Sequence, residues 1–331
     1  VRLARYLAPL VIAAGLSAPA LAETNQLRIT HQPSTVYLPL IIMEHLKLVE
    51  EQAKKAGLNE LNVQWLTLTS GGASVDALMS GNVDLVTSGV SNLILLWDKS
   101  KGEVKGVAGA SAVPMVLVTR DPAVKKLEDF TDRDRIAVPT VKVSMQAIVL
   151  QIACEKQFGF ENRNKFDSIT VQLGHPDAAA ALSDPKNQIN SHFSLPPFLA
   201  IELALPGVHP VLNSSDVIGG PVSNGVVFGT KKFHDANPKV MAAFQSAMDI
   251  AMDMIKNDPR KAAEVYLAST KEKISADQLT KLITAHDLLY TKTPTNTMKI
   301  ADYMHRAGMI KSDVKSWKDY FFPELHSLPG T

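Results

Sequence analysis

The chain has 331 residues, 46% of them hydrophobic and 20% charged, which is enough apolar material for one large or two medium domains. Its formal net charge of +1 offers neither a basic field for nucleic acid nor an acidic tail, and an aromatic content of 6% leaves no base-stacking platform. The single cysteine cannot staple the fold; Cys154, in "QIACEKQFG", reads as a small buried hydrophobe inside a helix.

In chain order, the first 22 residues read as an export signal. Arg2 and Arg5 precede an apolar run over 6–16, and Ala20-Leu21-Ala22 is a small-x-small cleavage signature. The run is shorter than the roughly 20 residues that span a bilayer. Cleavage after Ala22 leaves 32 basic against 33 acidic side chains, and no cysteine lies in or just after the signal to carry a lipid anchor. The expected location is therefore the periplasm, without a lipid tether.

Beyond the signal, strands and helices alternate. Strands are predicted at 27–30, 62–68 and 83–89, then at "KGVAGAS" and "PMVLVTRD". Helices are predicted over 37–57 (broken near Leu46), in "SVDALMSG" and over 92–102. The pattern restarts at 135–140 with a strand, a helix over 144–159, a strand over 169–174, a helix over 177–184 and a strand over 188–194. Short strands alternating with helices imply an α/β protein with largely parallel sheets. The second half echoes the first: "DALMSGNVDLVTSG" and "AAALSDPKNQINSHFS" share a helix-turn-strand pattern, with Leu78 matching Leu182, Ser80 matching Ser183 and Val83 matching Ile189. After a strand over 224–233 come only helices. The first carries Val240, Phe244, Ala247, Met248, Ile250, Ala251 and Met254 on an expected packing stripe, and Ser275 with Gln278 caps a later one.

Taken together, "LRITHQPSTVYLPL", "SGGASVDALMSGNVDLVTSG", "LEDFTDRDRIAVPT", "QINSHFSLPPF" and "TNTMKIADYMHRAGMI" resemble, in order and over 27–320, the periplasmic substrate-binding proteins of ABC importers in the nitrate/sulfonate/taurine group. Thr30 and His31 stand where the sulfonate branch often has Gly-Tyr. The resemblance implies a type II periplasmic-binding fold: two lobes, each with a mixed five-stranded sheet flanked by helices, and C-terminal helices. Lobe 1 would comprise 23–117 and 225–331, and lobe 2 would comprise 118–224. It also implies a monomer that delivers a small polar or anionic solute to a membrane permease. A more distant relative, the thiamine-pyrimidine synthase, is an enzyme on the same fold but is Cys-rich with iron, unlike this chain. A ligand sensor presenting its closed form to a membrane receptor is the other reading left open.

Ligands of open α/β sheets bind beyond the carboxyl ends of the strands, where helices begin and their free N–H groups favour anions. That rule selects five loops. From lobe 1 come His31, Gln32, Ser34, Thr35 and Tyr37; Ser70, Gly71 and Gly72; and Thr87, Ser88, Gly89 and Asn92. From lobe 2 come Thr140, Lys142 and Ser144, and His192, Phe193, Ser194 and Phe198. The glycines would let backbone approach a ligand, the hydroxyls and Gln32 would orient it, and Tyr37, Phe193 and Phe198 would cover an apolar body. No arginine fork is present in these loops, so a ligand with a planar or apolar body and one anionic or polar end is expected. The sequence contains no HExxH, CxxC, GxSxG or GxxxxGK[ST] pattern, and no enzyme activity, cofactor or metal is expected.

Overall fold

The computed structural model describes residues 23–270, 272 and 274–331; the expected export signal lies outside the described residues. The first half runs β1 (Gln26–His31), α1 (Leu38–His45), α2 (Leu48–Lys55), β2 (Asn62–Thr67), α3 (Gly71–Met79), β3 (Leu85–Ser88), α4 (Val90–Lys99) and β4 (Val104–Ala112). The expected break in the first helix falls at Leu46 and Lys47, where Lys47 takes a left-handed φ of 53°. Helix α3 starts earlier than its apolar pattern suggests, because Ser70 accepts a hydrogen bond from Ala73 N at 3.2 Å and caps it.

The chain then crosses to a second sheet through β5 (Val116–Thr119), β6 (Ile136–Val138), α5 (Met145–Phe158), β7 (Thr170–Gln172), α6 (His175–Ser183), β8 (Ser191–Ser194), α7 (Phe198–Leu203), β9 (His209–Asn213) and α8 (Ser214–Ile218). The pattern does not announce α7, β9 or α8. Strand β9 is half-buried except at the exposed Pro210 that interrupts it, so it shows no alternation. The chain returns through β10 (Ser223–Thr230), followed by α9 (Lys231–Ala236), α10 (Pro238–Asn257), α11 (Pro259–Ser269), α12 (Ala276–Ile283) and α13 (Thr297–Arg306). Strand β10 stops at Thr230 rather than Phe233, because the Thr230 hydroxyl accepts from Phe233 N at 3.1 Å and opens α9.

The two sheets have the same plan. Their orders are β2-β1-β3-β10-β4 and β7-β6-β8-β5-β9. In each, three strands run parallel and the fourth runs antiparallel to both neighbours. The sheets are therefore mixed, as expected, with four strands aligned and one opposed in each. The antiparallel strand is in each case the one delivered by a crossover from the other sheet. The echo between the halves is topological: α3–β3 and α6–β8 occupy equivalent places, with Leu78 and Leu182 both buried. The crossover segments are tied side by side, since the Asn224 amide donates to Val113 O at 2.9 Å and accepts from Val113 N at 3.1 Å.

Helices α10 and α11 pack on α1 and α2 over one face of the first sheet. On α10 the buried stripe is Val240, Phe244, Ala247, Met248, Ala251 and Ile255. Ile250 is 37% exposed and Met254 half-buried, contrary to expectation, because a 3.6-residue period continues from Ala251 to Ile255. None of the helices among the described residues is long and apolar enough to cross a membrane.

Candidate functional site

The carboxyl ends of the two sheets face each other, and the helices that start there meet across the boundary. Gly72 N, in the first turn of α3, donates to Thr140 Oγ1 at 3.4 Å. Ser91 Oγ, in the first turn of α4, donates to Val143 O at 2.8 Å. Gly89, the residue before α4, lies so close to Met145 at the start of α5 that a Cβ there would overlap the Met145 side chain. Gly174, the residue before α6, faces Thr69, whose carbonyl oxygen would be 3.0 Å from an added Cβ. Ser34 Oγ and Thr35 Oγ1 both donate to Pro196 O, at 2.8 and 3.1 Å. Four helix N-termini, two from each sheet, thus converge on one boundary. Ser70 and Ser144 cap α3 and α5 by accepting from Ala73 N and Ala147 N, whereas α4 and α6 start at glycines that supply no side-chain cap. Their first-turn N–H groups carry the positive end of the helix dipole.

Most of the residues singled out in the sequence lie along this boundary, but several have structural partners. Gln32 spans the Tyr37 hydroxyl at 2.9 Å and Thr87 O at 3.1 Å, and burial pushes the Tyr37 phenol well above its ordinary pKa. Ser88 Oγ accepts from the Asn92 amide at 2.6 Å, and both lie over Gly71, where a Cβ would fall on the Ser88 hydroxyl. Phe193 is fully buried in the core. Lys142 is exposed with a left-handed φ of 66° and has no ion pair among the described residues. Ser194 Oγ and Thr87 Oγ1, at the ends of β8 and β3, are buried hydroxyls without a hydrogen-bond partner. His31 stands apart from the group. Its Nε2 lies 2.7 Å from Glu44 Oε2, and its ring lines a separate cavity bounded only by elements of the first sheet's lobe.

His192 belongs to a buried chain of polar groups that sequence reasoning missed. His192 Nδ1 is 2.6 Å from Glu202 Oε1, and its Nε2 is 2.9 Å from His175 Nδ1. His175 Nε2 is in turn 3.3 Å from Gln146 Nε2. One set of proton positions satisfies every link. Glu202 accepts from His192 Nδ1–H, His192 Nε2 accepts from His175 Nδ1–H, and His175 Nε2 accepts from the Gln146 amide. Both imidazoles are then neutral. Burial, and secondarily the neighbouring His192, holds His175 well below its ordinary pKa. Phe198 stacks on the His175 ring at 6.1 Å and 17°. Gln146 and His175 sit in the first turns of α5 and α6, so the chain leads from a fully buried carboxylate to the boundary between the lobes. The available clue was Glu202 itself: an acid inside "FLAIEL", an apolar run, requires a buried partner.

Neither a protein-family model nor a curated relative matches the sequence. Solved structures do resemble it. The alkanesulfonate-binding protein of Xanthomonas axonopodis pv. citri, bound to MOPS, superposes with a TM-score of 0.70 at 15% identity, covering 88% of this chain and 96% of that one. The periplasmic aliphatic sulphonate binding protein of Escherichia coli gives 0.65 at 15% identity over 91% and 92%. The ligand binding component of an ABC-type import system from Staphylococcus aureus, with zinc bound, gives 0.66 at 18% identity over 92% and 98%. Two sheets of identical plan joined by paired crossovers, together with these likenesses, establish that the chain has the type II periplasmic-binding fold.

Proposed function

We propose that this protein is the periplasmic solute-binding component of an ABC importer, and that it captures a small organic anion or polar solute between lobes 23–117 with 225–331 and 118–224. The observation that carries the reading is the convergence of four helix N-termini, two per sheet, at the interlobe boundary. Such a site stabilises an anionic end group without an arginine. The free hydroxyls of Thr87 and Ser194 and the amide of Gln146 add orienting hydrogen bonds, and Phe198 and Met145 supply apolar cover. The solved relatives named for sulfonate binding make sulfonates the first class to test.

In this reading the paired crossovers at 113–115 and 219–222 are the hinge. Ligand favours the closed state because it touches both lobes only there, and the closed form docks on a membrane permease. The protein acts as a monomer and performs no chemistry on the solute.

A thermal-shift panel of alkanesulfonates, taurine, nitrate, bicarbonate, pyrimidines and aromatic carboxylates tests the proposal. A ligand at 100 times its dissociation constant stabilises the fold by about 2.7 kcal/mol. If every member leaves the melting temperature unchanged, the solute-binding reading fails.

A further inference from the structure

Helix α13 is anchored to lobe 1 by the chain on both sides of it. Before it, Ala112 N donates to Leu289 O at 2.8 Å and Gly109 N to Lys292 O at 3.0 Å, so this segment runs along the β4 edge of the first sheet. After it, Phe322 N donates to Gly106 O at 2.9 Å, again on β4. The helix itself packs on α4.

Its side chains nevertheless reach lobe 2. At its start, Asn296 Nδ2 donates to Pro221 O at 2.6 Å and Lys299 Nζ to Ile218 O at 2.8 Å, beside the second crossover. Further along, the buried Tyr303 hydroxyl donates to Gln151 Oε1 of α5 at 3.1 Å. Burial holds the Tyr303 phenol above its ordinary pKa, so it stays a donor. Gln151 Nε2 is committed to both Asp167 oxygens, at 3.0 and 3.2 Å, which leaves Oε1 to accept. Arg306 meets Glu155 of α5 with two nitrogens on two oxygens, at 2.7 and 3.3 Å, and lies 5.6 Å from the Phe160 ring centre. Between these holds, a cavity of about 560 Å³ with Ile152, Val217 and Met298 in its walls separates α13 from α5 and α8. An interface held at a few polar points around unfilled space is released at far less cost than a packed core.

The same structure has the lobes in contact at the cleft edge, where Gly89 meets Met145. The α13 contacts therefore coexist with a shut cleft. A rotation about the crossovers that carries α5 away from lobe 1 must break Tyr303–Gln151 and Arg306–Glu155, because α13 stays with lobe 1. We propose that α13 is a strap that holds the two lobes together before any ligand arrives, with Tyr303 and Arg306 as its grip on α5. The strap rests on the two-lobed fold and not on the solute-binding reading. It sets how much of the closing free energy a solute would have to supply.

The test needs no ligand, so it can fail while the solute-binding reading stands, and the reverse. Spin labels are placed on Asp76→Cys of α3 and Ala180→Cys of α6, exposed positions on opposite lobes. Cys154 is buried, with its thiol pKa pushed up to about 12, and takes no label. Pulsed electron resonance then gives the distance distribution in the ligand-free processed protein. Tyr303→Phe combined with Glu155→Gln keeps both side-chain shapes and removes the hydrogen bond and the charge pair. The open fraction should rise by about tenfold, seen as a longer-distance population. Arg260→Met is the control: it removes two exposed ion pairs wholly within lobe 1 and should leave the distribution as in wild type. A distribution unchanged in the double variant, or lengthened equally by Arg260→Met, would overturn the proposal. Should the double variant not fold, Glu155→Gln alone must lengthen the distance, or the proposal falls.

Discussion

The two lobes place equivalent elements at the same edge of the same sheet plan and dress them differently. In lobe 1 the edge beside α3 and β3 is close-packed backbone and small polar groups: Ser70, Gly71, Gly72, Ser88 and Asn92. In lobe 2 the edge beside α6 and β8 is backed by a buried carboxylate that acts through two imidazoles to an amide, Glu202 to His192 to His175 to Gln146. Topology therefore fixes where a group stands, while side-chain chemistry fixes what it offers. Lobe 1 presents donors set by backbone; lobe 2 presents an amide whose orientation is set from behind.

The strongest way to break this comparison is to remove the buried carboxylate. Glu202→Ala leaves the neutral His192 Nδ1–H buried and unpaired, which costs about 1–3 kcal/mol, and the cavity left by the side chain adds to the loss. The corresponding lobe 1 change, Asn92→Ala, removes one neutral hydrogen bond to Ser88 and should cost about 1 kcal/mol. Urea denaturation of both variants measures the difference. Equal losses would mean that the relay is no more than ordinary packing.

A second contrast separates contacts within a lobe from contacts between lobes. Gly89 touches Met145 of lobe 2, so Gly89→Trp should hold the lobes apart. It should weaken cleft-ligand binding by about a hundredfold, near 2.7 kcal/mol, with the circular-dichroism spectrum unchanged. Gly71 instead packs under Ser88 of its own lobe, so Gly71→Ala should destabilise the fold by about 1–3 kcal/mol. Full ligand affinity in Gly89→Trp would remove that boundary from the binding site.

The legible and illegible parts of the molecule divide along the same line. The α3–β3 and α6–β8 units were readable because each is a local helix, turn and strand whose period appears within some 15 residues. The relay was not, because its members are separated by 29, 17 and 10 positions and meet only after the sheet forms. His31 illustrates a finer limit. It is next to Thr30 in a strand, and neighbouring side chains in a strand leave by opposite faces. Thr30 Oγ1 therefore meets Ser74 of α3, and His31 meets Glu44 of α1. A loop can be placed from sequence at the carboxyl edge, but which face a given residue takes depends on register.

Protonation offers a smaller test of the lobe 2 chemistry. His175 is held below its ordinary value of 6.5, so the unfolded chain takes up a proton as pH falls through 6.5 while the folded chain does not. Stability should therefore fall as pH drops below about 6.5, by up to about 1.4 kcal/mol per pH unit, and the loss should stop once the folded form also protonates. His175→Gln should flatten that part of the profile, measured as melting temperature between pH 7 and 5. An equal slope in wild type and His175→Gln would assign the effect to a histidine elsewhere.

The smallest effects fall on the caps, where the two lobes should behave alike. Ser70 and Ser144 each accept one hydrogen bond from the third residue of the helix that follows, at 3.2 and 3.3 Å. Ser70→Ala and Ser144→Ala should each cost about 1 kcal/mol of stability, the usual value of an N-cap hydroxyl. Equal topology predicts equal losses, whatever the side chains behind each cap. Affinity for a cleft ligand, measured by calorimetry on the same variants, tells a second thing. A hydroxyl that only caps a helix changes stability and leaves affinity where it was once the folded fraction is allowed for. One that also donates to the ligand lowers affinity beyond that. If Ser144→Ala loses affinity and Ser70→Ala does not, the ligand hydrogen-bonds to lobe 2 side chains and meets lobe 1 chiefly through backbone N–H groups, which is the division of labour the two edges display.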